Sequence, residues 1–512
     1  MSKQNSQELF GHPKGLYVLF FVEMWERFSY YGMRALLTLY LAAPILLGDP
    51  QGGMGWSNAE TISFYGTYTM FVYLTSIPGG WIADKFIGQK KAVMLGGILL
   101  CIGHGILAVP TNWAFFTGLI FIVCGVGFLK PNISTMVGGL YNQGDDRRDR
   151  GFYIFYIGIN LGAFLGALAT GWIAAEYGWH YGFGLAGIGM LTGLIFFWTG
   201  INKNVFGDRG LPPSQEVYEK PVIGVPQKTL IPVLSVLAVP VIAYVLASYK
   251  AIAGGESFLG DETIVGLIFK VIGVAVVIYL GSIMMKSSVE ERKKLFMAVL
   301  ITFFMTMFWG FHELSGSVIT LFASRNVALD GIMTAAQTNS LNSMFIIILA
   351  IPVSLLWGYL SKKNLNPRTP YKFGLGLVLA GASFYVLAMS KGSADANGMV
   401  PFAYLFIMYF VISIGELFMS PVGLSKITDL SPKRIVAFMM GIWFLSSAYA
   451  FQIVGFISKQ LAIESTDANV GGLDTLETYT NGFELIAMYS VGAGVVVLLF
   501  SPLMKKLMGN VH

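Results

Sequence analysis

Charge is scarce in this 512-residue chain: Asp, Glu, Lys and Arg make up 12% of it, where soluble domains carry about 25%. That shortage excludes an ordinary soluble protein. Cysteine is scarcer still. Cys101 and Cys124 are the only two, both inside apolar stretches, which excludes a disulfide framework and a thiolate metal site. Of the five histidines, His12 stands in the polar amino-terminal stretch, and His104, His180 and His312 share no ligand spacing, so no metal is expected. No glycine-rich phosphate loop follows a strand and no nucleophile elbow is present, so neither an enzyme nor a cofactor is expected. Residues 1–15 are polar, and the first apolar run is too long for a cleaved signal and lacks a small-residue cleavage site.

What fills the chain instead is apolar sequence, 55% of all residues. Apolar runs predict fourteen membrane spans: 16–41, 60–83, 92–110, 114–141, 152–175, 181–201, 229–250, 262–285, 294–324, 333–360, 372–390, 401–427, 434–460 and 482–504. Connections alternate sharply in basic content. One set carries Lys85, Lys90, Lys91, Arg147, Arg148, Arg150, Lys286, Arg292, Lys293, Lys294, Lys362, Lys363, Lys505 and Lys506. The other set is nearly bare, and 461–481 is acidic. By the positive-inside rule both termini are cytoplasmic, and the net charge of +5 reflects orientation in a lipid bilayer, not a nucleic-acid surface. The long polar connection 202–228 holds Pro212, Pro213, Pro221 and Pro226 and reads as a linker. A 6 + 2 + 6 plan follows: a six-helix bundle over 1–201, a linker with two inserted helices over 202–290, and a second six-helix bundle over 291–512.

One stretch breaks the apolar rule. In E-M-W-E-R-F-S-Y-Y-G-M-R, the residues Glu23, Glu26, Arg27, Tyr30 and Arg34 fall within a roughly 100° arc of one helix face. Each charge at a bilayer centre costs about 2.5–3.5 kcal/mol, so four cost on the order of 10–14 kcal/mol, more than the surrounding apolar residues return. That face must meet protein or water. Three further charges lie at membrane depth: Lys130 in G-F-L-K-P-N-I, Glu313 in W-G-F-H-E-L-S, and Glu416 in G-E-L-F-M-S-P. A lone buried carboxylate is a defect in a scaffold and a working part in a proton carrier. Bases in the first half and acids in the second suggest pairing across a central cavity, with bonds that form and break as the halves rock. Such a cavity suits a solute carrying both a carboxylate and an ammonium. Tyr30, Tyr31, Tyr65, Tyr68, Tyr73, Trp309 and Trp443 are candidates for its lining.

Three signatures give this reading a family. E-M-W-E-R, F-Y-I-G-I-N-L-G-A from Phe155, and G-E-L-F-M-S-P-V-G-L-S with the later M-M-G-I-W-F-L-S resemble motifs of the proton-dependent oligopeptide transporters (POT, or PTR2), a major facilitator branch. The loop G-x-x-x-D-K-x-x-G-x-K-K from Gly80 to Lys91 is similar to that superfamily's loop motif. The resemblance implies an all-α polytopic fold and a proton-gradient-driven symporter importing di- and tripeptides into a bacterium across its inner membrane. Glu23, Glu26, Arg27 and Glu313 then couple protons. Arg27, Tyr31, Lys130 and Asn160 meet the peptide's carboxylate, and Glu416, Asn342 and Ser447 its amino terminus. Tyr30, Tyr73, Trp309 and Trp443 shape the pocket. Arg34 with Glu313 makes an outer gate and Lys130 with Glu416 an inner one. Many members have a second-span histidine; the matching position here is Gly66, which leaves the proton to carboxylates. Two alternatives remain: a carrier of another small anionic or zwitterionic solute, and a non-transporting scaffold or receptor with structural ion pairs.

Overall fold

The chain is described from a computed structural model that covers residues 8–141, 147–212, 221–222, 225–226, 229–230, 233, 264–432, 439, 442–443, 445–451 and 472–508. The first group of helices is α1 (Lys14–Ala42), α2 (Asn58–Leu74), α3 (Ser76–Ile82), α4 (Gln89–Leu107), α5 (Asn112–Gly139), α6 (Arg147–Tyr177) and α7 (Trp179–Asn202). After them come α8 (Ile264–Met285), α9 (Val289–His312), α10 (Val318–Asn326), α11 (Ser340–Lys362), α12 (Thr369–Met389), α13 (Phe402–Leu430) and α14 (Gly472–Met508). Among the described residues, nine helical segments are long and apolar enough to cross a membrane. The expected spans 229–250 and 434–460 lie largely outside the described residues, as do 213–220 of the linker and Met440, Gly441 and Phe444 of the last signature.

One pattern of contacts recurs in both groups. α4 lies along α5 and against α7, while α12 lies against α13 and α14. Glycines make the first contact close. A Cβ at Gly96 would lie 2.6 Å from the carbonyl oxygen of Gly125, and one at Gly103 would lie 2.8 Å from that of Gly118. Small residues at such a seam let two backbones touch where lipid gives no hydrophobic drive.

The loop motif is built around Gly88, whose φ of 75° is one that only glycine adopts freely. Gln89 Nε2 donates to Asp84 Oδ1 at 2.9 Å, and Lys90 Nζ donates to the Gly207 carbonyl at 2.5 Å. The motif therefore fastens the start of α4 to the segment following α7.

Two expected spans are broken. Thr75 interrupts 60–83, its hydroxyl donating to the carbonyls of Phe71 and, across to α5, of Val123. Span 294–324 is interrupted by a 3-10 turn at Glu313–Gly316. The acidic stretch 461–481, expected as a loop, is helical from Gly472 onward. Thr475, Leu476, Tyr479, Thr480 and Phe483 recur on one face and are buried, with Tyr479 and Phe483 against Phe322 at 5.6 and 5.1 Å. Amphipathic spacing, not apolar content, carries α14 beyond the span.

Among the described residues, three side-chain hydrogen bonds join the two groups at one end. Thr38 Oγ1 donates to the Gly316 carbonyl, Gln337 Nε2 to that of Leu168, and Asn58 Nδ2 to the Tyr479 hydroxyl. All three lie at the end away from the starts of α1, α4, α6 and α9.

Candidate functional site

The face of α1 singled out by its charges is buried: Glu23, Glu26, Arg27, Tyr30 and Arg34 are all at most 5% exposed. Arg27 Nε sits 3.1 Å from Glu23 Oε1 and also contacts Glu26 Oε2. The Arg27 guanidinium stands over the rings of Tyr30 and Tyr31, at 5.5 and 5.9 Å. Among the described residues, Arg27 Nη2, Glu23 Oε2 and Glu26 Oε1 have no hydrogen-bond partner. Native interiors rarely leave such groups unsatisfied, so these three atoms are free for a proton, water or solute.

Two helical turns further, Arg34 joins the two groups of helices. Its Nη2 bonds Glu313 Oε2, and its Nε donates to the Tyr65 hydroxyl. The break between α9 and α10 is what makes this possible. Glu313 opens the 3-10 turn, so its carboxylate reaches α1 instead of following the helix face. A Cβ at Gly316 would collide with Tyr65 and Arg34, so this turn keeps the approach clear.

Lys130 precedes Pro131 inside α5. Its Nζ lies 3.9 Å from the Tyr73 ring centroid, a cation–π contact. Glu23, Glu26, Arg27 and Tyr31 all lie within electrostatic reach of it. A cavity of about 230 Å³ opens beside it, lined by Tyr31, Tyr73, Lys130, Trp309, Glu313, Ser420, Trp443, Ser447, Ala450 and Phe451. Both groups of helices contribute to its wall. Phe451 stacks on Tyr73 at 5.5 Å across it.

Glu416 occupies a neighbouring polar nest. Its Oε2 accepts from Asn342 Nδ2 at 3.0 Å and lies 3.1 Å from His312 Nε2. Asn342 also donates to Ser413 Oγ at 3.0 Å. Trp309, which lines the cavity, meets His312 edge-on at 5.0 Å.

Of the residues expected at the site, the structure thus gathers Tyr31, Tyr73, Lys130, Trp309, Glu313, Trp443 and Ser447 around one cavity. Glu23, Glu26 and Arg27 stand beside it and Arg34 holds Glu313. Glu416 and Asn342 are bonded to each other. Asn160 donates to the Tyr156 carbonyl of its own helix and is not part of the cavity wall. Tyr30 is buried against Tyr31. Lys130 turns to Tyr73 and Glu416 to His312, so the expected inner gate is unpaired in this conformation. Sequence reasoning missed His312, Ser420, Ala450 and Phe451. His312 alone left a signal, as a titratable residue directly before a buried glutamate in an apolar run.

Known proteins resemble the whole chain. The POT family model matches residues 90–473. The uncharacterized transporter YclF of Bacillus subtilis is 35% identical over 508 residues, 98% of this chain and 96% of that one. A di-/tripeptide transporter of Lactococcus lactis subsp. lactis is 34% identical over 521 residues, 99% of each. A crystal structure of a point mutant of peptide transporter POT in complex with alafosfalin superposes at a TM-score of 0.82, with 35% identity over 100% of both chains. The fold is therefore the all-α, polytopic one of major facilitator transporters, and the chain is not an enzyme. With a match to its model over residues 90–473 and full-length likeness in sequence and fold to its members, the chain belongs to the POT family of transporters.

Proposed function

We propose that the chain is a proton-coupled symporter that imports di- and tripeptides by alternating access. The observation that carries this is the two-signed cavity between the two groups of helices. Lys130 on α5 and Glu313 line it from the two groups, the partly unsatisfied Arg27 on α1 stands beside Lys130, and Glu416 lies behind Trp309 in the neighbouring polar nest. A peptide's carboxylate is drawn to Lys130 and Arg27 and its ammonium to Glu416, with Trp309, Trp443 and Ser447 around its body. The two six-helix units 1–201 and 291–512 are the moving bodies, joined by 202–290.

Basic loops put the termini in the cytoplasm of a bacterium, with the chain in its inner membrane. The inter-group contacts then close the outer face, with Arg34–Glu313 as their charged member. Lys130 and Glu416, not paired with each other, suit a carrier open to the inside. Protons arriving at the Glu23–Glu26–Arg27 cluster and at Glu313 weaken these ion pairs and let the outer contacts part. No cofactor takes part; the gradient supplies about 2.3 kcal/mol per charge per 100 mV and about 1.4 per pH unit.

Uptake of labelled dialanine into proteoliposomes under an imposed inward proton gradient tests the reading. Concentrative uptake abolished by a protonophore is expected. Binding without uptake would leave a receptor. Gradient-driven uptake of a non-peptide zwitterion in preference to dialanine would move the substrate class.

A further inference from the structure

His312 ends α9. It is 7% exposed, and its Nε2 lies 3.1 Å from the same Glu416 oxygen that accepts from Asn342. Neither ring nitrogen has a geometrically formed hydrogen bond among the described residues, so the imidazole meets Glu416 by proximity of charge. Phe308 stacks on the ring at 5.8 Å, and Trp309 meets it edge-on and lines the cavity beyond. The charged groups that reach His312 are Glu416 on α13, its chain neighbour Glu313, and Arg34 on α1; Tyr156 on α6 lies near Glu416. Arg34 is already engaged by Glu313 and Tyr65. Among the described residues, the cation within bonding distance of Glu416 is therefore His312 alone.

We propose that His312 is the resident competitor for the carboxylate that receives the substrate's amino terminus, so that proton and ammonium displace one another at Glu416. This rests on the peptide reading above. In the empty site, a protonated imidazole balances the carboxylate. When an ammonium arrives, two cations face one anion in a buried space. The imidazole is the one that can lose its charge near neutral pH. It gives one proton to water in the cavity, stays in place as a neutral ring, and the ammonium takes over the pairing. Release of the peptide reverses the step, so protons and charge balance. A free amino terminus is then preferred most strongly where imidazole is neutral, above its ordinary range near pH 6.5.

The test compares affinities of dialanine and N-acetyl-dialanine for the full-length protein in nanodiscs from pH 5 to 8.5. Their ratio isolates the amino terminus, because effects at the carboxylate end act on both peptides. In the wild type, the ratio should fall on acidification through the imidazole range. His312→Gln keeps a hydrogen-bond donor and removes the titrating charge. Its fall should move to lower pH, and a shift of one unit raises the ratio up to about tenfold at acid pH. His312→Lys fixes the cation and should hold the ratio near one at every pH. Equal binding of the acetylated peptide by all forms shows an intact site. Superimposed profiles for wild type and His312→Gln, a uniformly lower ratio in His312→Gln, or a surviving preference in His312→Lys would each overturn the proposal. Failure of the wild type to bind either peptide would instead remove the peptide reading itself.

Discussion

Arg27 and Arg34 stand two turns apart on one helix, yet their partners differ in kind. Arg27 is paired with Glu23 and Glu26 on its own helix, so that cluster survives any motion of the halves. Arg34 is paired with Glu313 on the opposite half and must lose that partner when the halves separate. Removing one member of a buried pair costs about 3–5 kcal/mol, because the other is left uncompensated. Glu313→Gln should therefore weaken closure at the end where Thr38 meets Gly316. Spin labels placed there should show a longer distance population than in the wild type, and an unchanged distribution would remove the pair as a gate. Recognition belongs to this scale as well. If Arg27 and Lys130 hold the carboxylate and Glu416 the ammonium, amidated and acetylated dipeptides should compete for dialanine uptake far more weakly than free ones. Equal competition would contradict the two-signed site. The cost of charge in hydrocarbon makes Glu23, Glu26, Arg27, Arg34, Lys130, Glu313 and Glu416 legible from sequence. His312 was only faintly legible: it stands directly before a buried glutamate, but an imidazole within an apolar run reads equally well as packing. The partner Glu416 holds in this conformation was equally hidden, because sequence does not say which state of a moving carrier is populated.

Helices in this chain are positioned by close backbone approach and by breaks. The α4–α5 seam has no room for side chains at Gly96 and Gly125, whose added Cβ atoms would meet each other's carbonyls at 2.6 and 2.9 Å. Overpacking typically costs about 1–3 kcal/mol, so Gly125→Leu should lower the thermal unfolding midpoint in detergent by several degrees. Gly105→Leu, on the same helix as Gly96 but with nothing within 4 Å, should not. A Gly125→Leu protein as stable as the wild type would show that the seam is loose. Apolar length is enough to find most of these helices in the sequence. It does not find the breaks at Thr75 and Glu313, because the apolar run continues through both. It also starts α14 too late, at 482 where the helix begins at Gly472, since the buried face there is set by Thr475, Leu476, Tyr479 and Phe483 amid polar neighbours.

At the scale of the molecule, two groups of helices meet around a cavity and, among the described residues, are hydrogen-bonded to each other at one end. In the proposed cycle the closed end is exchanged, and Lys130 and Glu416 become partners in the other state. If Lys130 and Glu416 form the proposed inner gate, Lys130→Ala removes the cation that closes it, so spin labels on the ends of α5 and α13 away from the Thr38–Gly316 contact should report a larger open fraction. Equal distributions with and without dialanine, in wild type and variant alike, would remove Lys130 from the gate. The central claim is that the buried carboxylates of α1 tie proton movement to peptide movement. The most direct measurement sets gradient-driven accumulation of dialanine beside counterflow exchange in proteoliposomes carrying Glu23→Gln or Glu26→Gln. Accumulation against the peptide gradient should vanish while exchange, which needs no net proton movement, persists at least in part. A variant that still concentrates dialanine like the wild type would contradict the account.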